Sequence, residues 1–144
     1  MTILEHYRKV LNGELKQSPV ECLMGLKLIS VEDGEATYEM QASEQHANPQ
    51  GTCNGGIIGI LADMAMGIAY GSTLQEDETF TTIEMKVNFF KPVWKSKIKA
   101  RATLYKRGQT IGFIQCDITD ENGKLIAHAS STCMTLRGDK AQGR

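Results

Sequence analysis

Between Gly55 and Ser72 the chain reads GGIIGILADMAMGIAYGS, and Asp63 is its only charged side chain. Wound as a helix, this segment would project Ile57, Ile58, Ile60, Leu61, Met64, Met66 and Ile68 from every face. A helix that is apolar all round belongs in an interior, so the pattern predicts a buried helix over 55–72 with other elements packed around it. The run is too short, and too broken by glycine and Asp63, to cross a membrane. A buried, ionised carboxylate is costly unless it is neutralised, hydrogen-bonded or put to chemical use. The lead-in His46-Ala47-Asn48-Pro49-Gln50-Gly51-Thr52-Cys53-Asn54-Gly55-Gly56 brings polar side chains and bare amides to the N-terminus of that helix. Together these features have the character of an active site.

Flanking signals supply the elements that would bury the helix. Thr2-x-x-Glu5 forms a potential capping box, and Ile3, Leu4, Tyr7, Val10 and Leu11 recur at helical spacing, predicting an amphipathic helix over 2–12. Ser18, Pro19, Glu21 and Gly25 carry the start and stop signals of a second, brief helix. Strands are predicted at 26–31 and 35–41, joined by the turn Asp33-Gly34. Beyond the central helix, alternation marks 82–90, with Ile83, Met85, Val87 and Phe89 on one face, and 97–105, with Ile98, Ala100, Ala102 and Leu104. Pro92 separates these two runs. Turns at Arg107-Gly108 and Glu121-Asn122-Gly123 lead into strands at 111–119 and 125–136. Short connections favour antiparallel neighbours, so these last four strands are predicted to form a meander. A lone helix that is apolar all round then needs the sheet to curl around it, with a partner subunit covering what is left. That is the hotdog fold, an α+β class in which a curled antiparallel sheet wraps one central helix.

The 144 residues suffice for a single domain, with 1–17 as its N-terminal helix and loop and 138–144 as a polar tail expected to fray. With 17 acidic and 16 basic residues the chain exerts no global pull toward nucleic acid or an anionic membrane. Any anionic ligand must be met by local cations. Cys22, Cys53, Cys116 and Cys133 are scattered without a CxxC pair, which predicts free thiols in a reducing cytoplasm and neither a zinc site nor a disulfide framework. The start, MTILEHYRKV, lacks the layout of a secretion signal. No HxH or carboxylate cluster suggests a metal. His6 and His128 show no partner pattern, and His46 reads as a structural loop residue.

The run from His46 to Gly71, with Asn48 six residues before Asn54, Gly55-Gly56 directly after it and Leu61-Ala62-Asp63 beyond, resembles the phenylacetate-degradation (PaaI-like) type of hotdog acyl-CoA thioesterase. The resemblance continues from Ser18-Pro19 and Gly25 through Lys106-Arg107-Gly108 to the final strand. It implies hydrolysis of an acyl-CoA thioester to a carboxylic acid and free coenzyme A, with no cofactor. In that scheme Asp63 is the general base or nucleophile, and burial should raise its pKa toward a range useful to a base. The backbone N–H of Gly55 is the oxyanion donor, helped by the positive end of the helix, and Gly55-Gly56 lets the thioester approach closely. Asn48 matches the position that hydrogen-bonds the acyl group or the attacking water. Members of the family usually carry His-Gly-Gly where this chain has Asn54-Gly55-Gly56, so Asn54 takes over a positioning role but cannot act as a base. Thr82 matches a Ser or Thr that faces the carboxylate from across the subunit interface. Read alone, Asp63 is equally a structural acceptor, Gly55-Gly56 a tight turn, and Asn48 a turn former before Pro49.

Coenzyme A phosphates require cations. Lys106-Arg107-Gly108 matches the family's CoA-contacting segment, Gly56 lines the same route, and Lys91 and Lys95 come next. The resemblance implies a homodimer as the minimal active unit, with Asp63 from one chain and Thr82 from the other, and pairs of dimers forming a homotetramer. Met64, Met66 and Met85 read as core or dimer packing and also suit an adaptable acyl tunnel. Two other functions fit the fold. A non-catalytic acyl-CoA sensing module would treat Asn54 as the mark of a weakened site, which the retained Asp63 opposes. A hotdog hydratase or dehydratase would need a His paired with an acid, and the loop–helix motif has none. No helix-turn-helix extension points to DNA binding.

Overall fold

The computed structural model describes residues 1–142. Its central segment is a helix, α3 (Gly55–Gly71), packed against all six strands of one antiparallel sheet. Before it come α1 (Ile3–Leu11), α2 (Pro19–Met24), β1 (Leu26–Glu32) and β2 (Glu35–Gln41). After it come β3 (Glu78–Phe89), β4 (Lys97–Arg107), β5 (Ile111–Thr119) and β6 (Leu125–Arg137). This is the hotdog arrangement. Of the predicted polar tail, Gly138–Ala141 forms a short 3-10 turn and 143–144 lie outside the described residues.

Local chemistry accounts for the helix starts. Thr2 and Glu5 bond each other's backbone amides at the head of α1. At the head of α2 the Glu21 carboxylate accepts from both Ser18 N and the Ser18 hydroxyl, and the helix stops at Gly25 in the left-handed conformation, φ 71°. Glu21 is completely buried and accepts a further bond from the hydroxyl of Tyr38 at 2.7 Å, tying α2 to β2. The inner face of α3 sets Leu61, Ala62, Ala65, Met66, Ala69 and Tyr70 against Tyr38, Met40, Ile98, Ala100, Ala102, Ile114 and Ala129. Small side chains on both surfaces let helix and sheet approach, while each fully buried Leu or Met contributes roughly 1.5–3 kcal/mol.

The predicted four-strand meander is only partly formed. The sheet order is β1-β2-β4-β5-β6-β3, so β3 lies beside β6 and not β4. Their register runs from Glu78↔Arg137 to Phe89↔Ala127. The reason lies in the connection around Pro92, which crosses the end of the sheet. Phe90 and Lys91 donate to Ile126 O, Val93 O accepts from Cys53 N, and Ser96 O accepts from Ala42 N. One short segment thereby ties β6, the loop before α3 and the end of β2 together. β3 also begins at Glu78, earlier than predicted, because Arg137 on β6 pairs with the Glu78 carboxylate.

Two further corrections bear on function. Within one protomer α3 is not buried all round: Gly56 and Asp63 are exposed, and Ile60, Met64 and Gly67 are half-buried. The sheet covers the rest of the helix and leaves this stripe open. In addition, a bulge between Thr82 and Glu84 makes Ile83 an extra, 54 % exposed residue. Thr82, Met85, Val87 and Phe89 therefore share the face opposite Cys133, Ser131, Ala129 and Ala127. His128 does have a partner, Asp117 on β5 at 2.8 Å.

Candidate active site

The loop before α3 is held at both ends. Asn48 N donates to Thr52 O at 2.7 Å, Gly51 N donates to Asn48 O at 2.9 Å, and Asn54 N donates to His46 O at 2.8 Å. His46 is buried; its Nδ1 accepts from Ser43 N and its Nε2 bonds Met24 O at 3.0 Å, so it anchors the loop to the end of α2. The structural reading of His46 is the one the geometry supports.

Asn54 is the N-cap of α3. Its Oδ1 accepts from Gly56 N at 2.7 Å and its Nδ2 donates to Asn48 Oδ1 at 2.8 Å. One amide group thus seats the helix and orients Asn48 together. The Gly55 N–H has no protein partner among the described residues. It is one of the unsatisfied donors every helix N-terminus leaves, and it carries the positive end of the helix.

Gly55 opens a pocket of about 520 Å³ that runs along the uncovered stripe of α3. Gly56, Gly59, Ile60 and Asp63 form one wall and Met85, Val87 and Phe89 of β3 the other. Asp63 is exposed to solvent here, contrary to the predicted burial. The apolar surroundings still strip enough water from its carboxyl to raise its pKa above the ordinary Asp value.

Thr82 stands on β3 opposite Cys133 of β6. Its hydroxyl is 3.6 Å from Cys133 Sγ. The Cys133 thiol is pushed up in pKa mainly by burial, and Asp63 is among the charges that add to this rise. Gly55 and Asp63 line the same pocket from one helix. They are eight residues apart on α3, about 12 Å along the axis at 1.5 Å per residue.

The predicted coenzyme A cations do not gather at the pocket. Lys106 and Arg107 belong to β4 itself, not to a turn. The Arg107 guanidinium lies 4.9 Å from the centre of the Tyr70 ring and its Nε donates to Thr73 Oγ1, at the far end of α3 from Gly55. Gly108 N closes the turn by donating to Ile111 O. Lys91 pairs with Asp120 at 3.0 Å and lines a second pocket beside the first. Lys95 pairs with Glu44 on the surface. Met85, Val87 and Phe89 were legible as one face of a strand, but their meeting with Asp63 was not.

The chain matches the family described as Thioesterase superfamily over residues 50–127, more than half its length and including α3 and β3 to β5. Acyl-coenzyme A thioesterase 13 of Homo sapiens is 28% identical over 134 residues, covering 91% of this chain and 95% of the relative. The crystal structure of a thioesterase from Haemophilus influenzae superposes with a TM-score of 0.80 at 25% identity, covering 88% of each chain. The PaaI protein of the E. coli phenylacetic acid degradation operon shares the fold, with a TM-score of 0.82 at 20% identity over 95% of this chain and 98% of that one. Matched over its central helix, and folded as these proteins fold, the chain belongs to the thioesterase superfamily and is a thioester hydrolase.

Proposed function

We propose that this protein hydrolyses acyl-CoA thioesters, and that each active site is built from two copies of the chain. The observation that carries the reading is the helix rise of about 12 Å between the backbones of Gly55, whose N–H is unpaired, and Asp63, more than one Asp side chain spans. A single thioester carbonyl cannot touch both within one protomer. A two-fold-related copy, laid against the open stripe of α3, would bring its Asp63 to the first copy's Gly55. The surfaces such a copy would cover support this reading. β3 is an edge strand with Ile83, Met85 and Phe89 exposed, and an apolar edge of this kind invites strand pairing.

In the assembled site the thioester oxygen accepts from Gly55 N–H as negative charge develops on it. Asn48, oriented by Asn54, holds the acyl group or the attacking water. Asp63 of the opposing copy takes a proton from that water as the water oxygen bonds the carbonyl carbon. The C–S bond breaks, and the proton passes to the departing coenzyme A thiolate. Alternatively Asp63 attacks the carbon itself, expelling the thiolate, and water then cleaves the acyl–Asp63 anhydride to release the acid, while Thr82 supplies a hydroxyl. The name of the human relative supports coenzyme A as the carrier. Lys106, exposed and outside any ion pair among the described residues, is the cation we assign to its phosphates.

The test is complementation between two inactive variants. Gly55→Pro removes the N–H, at a helix position where proline is accepted, and Gly55→Ala controls for the carbon added beside Phe89. Asp63→Ala removes the carboxylate. Each single variant should lose at least ~10²-fold in thiol release from acyl-CoA. Mixed by co-expression, they should recover about a quarter of wild-type activity, because half the dimers are mixed and each mixed dimer holds one intact site. No recovery, with mixed dimers demonstrated, would sink the shared site. No turnover by wild type on any acyl-CoA would sink the activity itself.

A further inference from the structure

The wall between the two pockets beside Gly55 is a single side chain. The first pocket, with Asp63, and the second, of about 320 Å³, share only Gly55 and Phe89 among their lining residues. The Phe89 ring lies directly over Gly55: a carbon added at Gly55 would sit 3.0 Å from the ring tip. The second pocket is apolar where it is deepest, with Cys53, Ile58 and Val93 nearly inaccessible to solvent and Phe90 and Pro92 beside them. Its one cation, Lys91, is turned to Asp120. Phe89 is the last residue of β3, next to the Pro92 connection that forms the rest of the second pocket.

Resting on the thioesterase reading of this site, we propose that Phe89 sets the length of acyl chain the protein accepts. With the ring in place, the acyl group ends in the first pocket. With the ring swung aside, the two pockets join over Gly55 and an unbranched chain extends into the space between Ile58 and Val93. The ligand of the second pocket is therefore the distal, hydrocarbon end of a longer acyl group, and not the polar pantetheine arm.

The experiment compares wild type, Phe89→Leu and Phe89→Ala against straight-chain acyl-CoAs from two to sixteen carbons. Thiol release gives kcat/KM for each length, and calorimetry with non-hydrolysable thioether analogues gives Kd independently of turnover. Each methylene newly buried is worth roughly fourfold in affinity. Phe89→Ala should therefore move the preferred length upward and raise the long-to-short ratio by at least about tenfold, with Phe89→Leu intermediate. Leu keeps an apolar side chain at this position, so it carries the test if the Ala variant fails to fold. An unchanged length profile overturns the assignment of Phe89 and leaves the hydrolysis standing. An equal change in Kd at every length, free coenzyme A included, overturns it in favour of a pantetheine pocket. A shifted Kd profile in a protein that never hydrolyses any member would support the gate and overturn the catalytic reading.

Discussion

Asn54 Nδ2 donates to Asn48 Oδ1 at 2.8 Å, while the other end of the same amide caps α3 through Gly56 N. Asn54 is thus engaged within the chain through both ends of its amide. Its task is to hold the helix start and Asn48 in a fixed relation. A carboxamide suits that task because it offers a donor and an acceptor on one rigid plane.

This relation predicts a split between stability and rate. Asn54→Asp keeps the acceptor that caps Gly56 but turns a second oxygen toward Asn48. Its melting temperature should stay near wild type while kcat falls, on the order of tenfold or more, as Asn48 loses its orientation. Asn54→Ala should lower both, with a stability cost of about 0.5–2 kcal/mol for the lost cap. Thermal unfolding alongside steady-state kinetics separates the two effects.

Asp63 makes a pH prediction with a definite sign. Its pKa is raised in the folded protein because surrounding apolar groups disfavour the charged form. Stability from this group is thus fully present below the unfolded carboxylate pKa and lost as pH rises through the folded one. Under the proposed mechanism activity needs the ionised form, so it should rise over that same interval and lie above the range of an ordinary Asp. Asp63→Asn should raise the melting temperature at neutral pH while lowering hydrolysis at least ~10²-fold. A melting temperature below wild type would mean that the carboxylate is a structural acceptor.

Glu21 should prove structural. Its carboxylate accepts from Ser18 N and the Ser18 hydroxyl as well as from Tyr38, and Glu21→Ala would leave these donors without a partner in a buried place. A loss of roughly 1–3 kcal/mol in denaturant unfolding is expected. Burial, with the Glu21 charge adding to it, pushes the Tyr7 phenol up to about 12 from 10.0. The folded protein therefore keeps a proton that the unfolded chain releases, and wild-type stability should decline as pH climbs between those two values.

Gly112 faces Tyr70 across the core. A carbon added there would come within 2.3 Å of the ring, which Thr135 holds through a 2.6 Å hydroxyl contact and Arg107 covers. Gly112→Ala should cost about 1–3 kcal/mol through forced displacement. Removing the ring in Tyr70→Leu should relieve much of that cost, as a double-mutant cycle would show.

The elements themselves were readable because their causes are local. The capping signals at Thr2 and Ser18, the turn at Gly34 and the alternation along β4 involve neighbours a few residues apart. The candidate loop was readable for the same reason: its glycines and asparagines sit next to the helix they start. The pairing of β3 was not, because the backbone bonds of the Pro92 connection are made to β6, β2 and the loop, all distant in sequence.

By itself, the sequence determined that a nearly uncharged helix carries one carboxylate behind a glycine-rich start, and that a sheet must wrap it. Periodicity and capping are short-range properties, and they are enough for that much. Only the tertiary structure decided that Asp63 stands open on the uncovered stripe and that Phe89 lies over Gly55. The placing of Phe89 depends on a one-residue bulge at Ile83 and on which strand β3 pairs with. A single residue's slip in register turns a strand over, and alternation alone does not reveal where that slip occurs.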